Sequence, residues 1–179
     1  MKKLLMCIIA AASIFQTAAA LDKTHKMVFD SENYYLAYSD NLPPSSGFFN
    51  EYIREGENLD NWKKIIGVTH YPEINSPEEY VDFFQKNSQI DNPHVFIKQP
   101  DTEVIFDFVI SQGEITELNI FRYVKKSGIP GIFAYQFAIR NYGALTPEFQ
   151  KEIAKREKWI DFVSQADFPK LLRRFKHTY

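Results

Sequence analysis

His70 closes an apolar run, Ile65-Ile-Gly-Val-Thr-His-Tyr71, with Tyr71 and Glu73 beside it. It is the best general-base candidate in the sequence, because an imidazole titrates near neutrality. Acting as a base needs a carboxylate to orient the ring and a cleft to hold a substrate, and neither is visible here. A surface or hydrogen-bonded core histidine is the plainer reading. Arg122 and Arg140 fall in neighbouring apolar segments, with Gln136 close by. Sharing a face, the three could hold an anion. Cross-strand pairing with Glu103 or Glu117 is the plainer account. Asp107 stands between Phe106 and Phe108. Facing solvent, it needs no explanation; facing inward, it needs Arg122, Arg140 or backbone donors.

Other chemistries lack their residues. There is no Gly-x-Ser-x-Gly elbow, and the seven glycines are too scattered for a Walker or dinucleotide loop. Histidines 25, 70, 94 and 177 show no metal-binding spacing. Neither a metal nor a cofactor is expected. The formal net charge of −2 gives no global attraction for nucleic acid. Lys170, Arg173, Arg174 and Lys176 make the last ten residues basic. They could meet acidic lipid headgroups or an acidic partner, against the plainer reading of a solvated helix face.

The first twenty residues have the three parts of a secretory signal in order. Met1-Lys2-Lys3 is cationic, Leu4 to Phe15 is apolar, and Ala18-x-Ala20 fits cleavage following Ala20. The apolar run falls short of the roughly 20 residues that span a bilayer. Cys7, the only cysteine, lies inside that run and not at the cleavage point. The mature chain would therefore be soluble, periplasmic or secreted, and free of thiol chemistry. Residues 21–179 are a normal size for one domain.

The elements that must position these side chains follow from period and punctuation. Residues 21–33 read as a polar lead-in. Tyr34 to Tyr38 and Phe48 to Glu55 read as strands, separated by a proline-rich loop from Asn41 to Gly47. Asn58, Leu59, Trp62 and Ile66 fit a short capped helix that runs into a strand ending at Tyr71. Ser76-Pro77-Glu78-Glu79 opens a helix whose buried stripe is Tyr80, Val81 and Phe84. His94 to Arg140 reads as a four-strand meander near 94–99, 103–111, 115–124 and 132–141. A two-residue turn at Gln112-Gly113 would set Glu103 opposite Arg122. Thr146-Pro147 opens one long helix with Phe149, Ile153, Ile160 and Val163 inward and Trp159 alongside. Asp167-Phe-Pro169 restarts a short helix. The sum is an α+β domain: an antiparallel sheet with helices packed on it in two or three layers.

Glu51-Tyr52-Ile-Arg-Glu-Gly56-Glu57-Asn-Leu-Asp-Asn61-Trp62 resembles an E-Y-x-x-x-G-E-x-x-x-N-W segment of uncharacterised small exported proteins of Gram-negative bacteria. Phe121-Arg122-Tyr123 and Tyr135 to Arg140 are similar in style. The resemblance implies an α+β sandwich of the PsbP-like kind and a non-cytoplasmic site, and it carries over no activity. From the residues, Gly56 permits a turn and Trp62 anchors a helix on the sheet, or else this edge contacts a ligand.

The expectation is therefore a non-enzymatic binding or accessory protein of the periplasm with an envelope protein as partner. Arg122, Arg140, Gln136 and Trp62 are its candidate binding residues, and Tyr34, Tyr35 and Phe48 its exposed aromatics. A small hydrolase or ligand-binding protein using His70, and membrane association through the basic terminus, are the alternatives.

Overall fold

The structure, a computed structural model, describes residues 21–42 and 47–166. The expected signal segment with Cys7, the middle of the expected Asn41–Gly47 loop, and the expected terminal helix with Lys170, Arg173, Arg174 and Lys176 lie outside the described residues.

Eight strands form one antiparallel sheet. Four come first: β1 (Asp22–Phe29), β2 (Glu32–Leu42), β3 (Gly47–Arg54) and β4 (Lys64–Tyr71). Helix α1 (Pro77–Asn87) leads to β5 (Asp91–Gln99), β6 (Glu103–Gln112), β7 (Ile115–Lys125) and β8 (Ile132–Tyr142). Helices α2 (Pro147–Ala154) and α3 (Arg156–Gln165) close the described chain. The spatial order is β1-β2-β3-β4-β8-β7-β6-β5. Two four-strand meanders thus meet at β4 and β8, and α1 carries the chain from mid-sheet to the far edge.

Side chains alternate across a sheet, so each face has its own core. On one face Phe149, Trp159 and Val163 of α2 and α3 pack with Leu118, Ile120 and Phe137. On the other, Val81 and Phe84 of α1 pack with Phe106, Phe108 and Phe121. A smaller cluster of Ile53, Trp62, Ile65 and Ala138 lies at the β3–β4 end of that second face. The α+β expectation holds, with helices on both faces of the sheet.

Ser76 caps α1 as expected, its hydroxyl accepting from the Glu79 N–H at 3.2 Å. Four expectations are corrected. Residues 22–29 are a strand and not a lead-in. No helix forms at residues 58–66. The Asn58 side chain instead accepts from the N–H groups of Asp60 (2.9 Å) and Asn61 (3.1 Å), and this local turn competes with the helix. The β6–β7 turn is Gly113-Glu114, so Glu103 faces Val124 and not Arg122. The last helix is broken at Lys155 into α2 and α3.

Candidate functional site

Three of the sequence-selected residues converge on the face that carries α1. Tyr38, Glu51, Gly67, Gln136 and Phe121 lie in register across β2, β3, β4, β8 and β7. In this row Gly67 leaves a gap, and Gln136 fills it. A Cβ at Gly67 would sit 2.7 Å from the Gln136 Oε1. The orientation of that amide is set by a chain of hydrogen bonds. Arg140 donates to Glu117 at 2.6 Å. The other Glu117 oxygen accepts from the Asn119 amide nitrogen at 3.4 Å. Asn119 then offers its carbonyl oxygen to the Gln136 Nε2 at 2.8 Å. The acceptor end of Gln136 is left over Gly67, on the side of Glu51.

Arg140 is fully engaged. Its guanidinium lies 3.9 Å from the centre of the Trp62 ring, a cation–π contact that fixes the 56–62 turn on the sheet. Among the described residues, the Glu51 carboxylate receives no hydrogen bond and pairs with no cation. Burial raises its pKa to about 7, with Arg140 opposing the rise and Glu117 adding to it.

Arg122 does not join this group. It faces Tyr135, while Gln136 faces Phe121, so Arg122 points to the opposite side of the sheet from Gln136 and Arg140. Its partners are Glu103 at 2.9 Å and the Ala166 carbonyl at 2.6 Å. Each arginine is held by the glutamate of the plainer reading, and the shared anion face is corrected.

His70 lies on the face of α2 and α3. It is buried and stacks on Phe133 with ring centres 4.4 Å apart. Its Nε2 donates to the Pro130 carbonyl at 2.9 Å, and burial lowers its pKa. Burial outweighs the Pro130 hydrogen bond, which pulls the pKa up, and the net effect favours a neutral imidazole serving the core. Asp107 is fully buried, so the solvent-facing reading is corrected. Its partners are Arg156 at the start of α3 and, at 3.8 Å, His94 of β5, not Arg122 or Arg140. Tyr34 and Phe48 are likewise buried core residues and no contact surface.

Sequence reasoning missed one surface. All nine residues of β5 are exposed at the sheet edge. Val95, Phe96 and Ile97 keep 40%, 47% and 55% of their surface open. An apolar strand without a second neighbour was the available signal, and the meander reading did not say which strand lay outermost. An open depression of about 430 Å³ lies at the β7–β8 turn, lined by Thr102 and Lys125 to Pro130. None of the sequence-selected residues lines it. Among the described residues no three metal-binding side chains gather, and no helix is long and apolar enough to cross a membrane.

A protein-family model matches residues 21–168, and the chain belongs to that family. No curated protein and no solved structure matches it.

Proposed function

We propose that this family member is an exported, non-enzymatic binding or accessory module that takes an extended segment of an envelope protein along β5. The exposed apolar edge carries the reading. An open strand edge presents unpaired N–H and C=O groups, and added strands use them as a template. Natural edges are normally blunted by charge or irregularity. The opposite edge, β1, has both: Asp22, Lys23 and Lys26 lie along it, and its register shifts between Asp22 and Lys26. On β5 such features are confined to the ends: Asp91, Pro93 and Lys98 flank the apolar run, and the register shifts only between Asp91 and His94 and between Ile97 and Gln99. The regular run His94 to Ile97 is long enough for a short partner strand, with Val95 and Ile97 on one side and Phe96 on the other.

Export rests on the leader, and the family match begins at residue 21, just past the expected cleavage point. Helices on both faces of an antiparallel sheet agree with a PsbP-like arrangement, which belongs to the same reading.

A photo-reactive residue at position 96 should cross-link a second polypeptide in the periplasm. The double variant Val95→Lys, Ile97→Lys should lose that product while keeping its thermal unfolding. Cross-links that persist unchanged in the variant, or that join only copies of this chain, overturn the proposal. The amino terminus of the periplasmic product should read from Leu21.

A further inference from the structure

The row through Glu51 presents hydrogen-bond acceptors and no donor to match them. Gln136 contributes Oε1, held in place by the relay from Arg140 through Glu117 and Asn119. Glu51 contributes a carboxylate without a partner among the described residues. From the neighbouring strand β2, Tyr38 directs its hydroxyl to Asp40 at 2.9 Å. The charges acting on Glu51 are Arg140 and Glu117, and Asp40 lies on the same face of β2, opposite Phe49. Glu117 and Arg140 neutralise each other, so Glu51 leaves a local excess of negative charge. A half-buried carboxylate so placed is stabilised by a cation that also donates hydrogen bonds.

The shape narrows the choice. The two acceptors belong to β3 and β8, separated by the bare backbone of Gly67 on β4. Adjacent strands lie about 4.8 Å apart, so β3 and β8 are two spacings apart, and Gln136 closes one of them by bringing its Oε1 over Gly67. A planar guanidinium fork best matches two oxygens of one carboxylate, whereas an ammonium turns its three donors toward separate acceptors. Phe49, two residues before Glu51 on the same face of β3 and only partly buried, offers apolar surface to an aliphatic stem.

We propose that Glu51 and Gln136 form a binding site for a primary ammonium group, held by the Glu51 carboxylate and the Gln136 Oε1 above Gly67. The site is independent of the β5 edge and stands or falls separately.

The test is a titration of the folded chain, read by amide NMR shifts of Glu51, Gly67 and Gln136. The probes are n-butylammonium, Nα-acetyl-lysine methylamide and tetramethylammonium. The first two should saturate these shifts at millimolar concentration. Tetramethylammonium, a cation without N–H, should leave them unmoved, and the amides of Val95 to Ile97 should not respond to any probe. Tighter binding of the lysine derivative assigns the ligand to a protein side chain, and equal or tighter binding of n-butylammonium assigns it to a free amine. Glu51→Gln should weaken binding at least tenfold and Gln136→Leu several-fold, with unfolding temperatures checked in parallel. Affinity should fall as pH drops through about 7, where Glu51 takes up a proton. Equal shifts with tetramethylammonium, no response to either amine, or undiminished binding by both variants overturns the site.

Discussion

Glu51 sits on the α1 face, and its neighbour Asn50 on the other. The Asn50 amide is fully buried with no hydrogen-bond partner among the described residues, and the Glu51 carboxylate is partly buried. A polar group in that position costs free energy unless something outside the chain completes it. For Glu51 the cost depends on pH. Its folded pKa, about 7, lies above the ordinary carboxylate value near 4.5. The folded state therefore holds a proton that the unfolded chain has already lost. Stability is fullest below about pH 4.5, falls as pH rises toward 7, and is level above that. The loss is at most about 3 kcal/mol. His70, whose folded pKa is lowered, pulls the other way as pH falls. Comparing wild type with Glu51→Gln isolates the glutamate. In urea unfolding between pH 4.5 and 7.5, the difference between the two should grow with pH in favour of the variant. A pH-independent difference removes the assignment. Arg140, Gln136 and Trp62 were legible as candidates from residue type and strand spacing. Glu51 was not, since its setting depends on Gly67 meeting Gln136 across a pairing of strands far apart in sequence.

The β6–β7–β8 meander was readable from alternation and glycine punctuation, to within two residues at most ends. β1 was hidden because its turn, Asp30-Ser31, adopts positive φ at both residues (46° and 63°) with no glycine to announce it. Asp107 was misread for a similar reason. Its guanidinium partner is supplied by α3, which no strand pattern could place. Arg156 donates to the Asp107 carboxylate and to the Asn92 carbonyl at 2.6 Å, so one side chain joins α3, β6 and the start of β5. Burial raises the Asp107 pKa, and the guanidinium opposes that rise. Breaking a buried pair by removing one partner strands the other charge, which costs about 3–5 kcal/mol. Arg156→Met should lower stability by about that amount, and adding Asp107→Leu should recover most of it. A single-variant loss below about 1 kcal/mol in urea unfolding would show that α3 is held by Trp159 and Val163 alone.

At the scale of the whole molecule, the join between β4 and β8 decides how the parts cooperate. It pairs residues 64–71 with 132–139 and binds the two meanders into one sheet. β4, β7 and β8 have strand neighbours on both sides, and β7 and β8 have helix packing as well. β5 has one neighbour and nine exposed residues. Its edge position follows from α1 crossing from mid-sheet, a non-local consequence that short-range patterns do not reveal. Opening free energies should therefore grade across the sheet. Amide hydrogen exchange should be slowest in β4, β7 and β8, approaching the global unfolding free energy, and fastest in β5 among the strands. A partner segment added along β5 would slow exchange there first, before any change at the β4–β8 join. If β5 in the isolated protein is already protected as strongly as β8, its edge is covered, and both its accessibility and the proposed strand addition fail together.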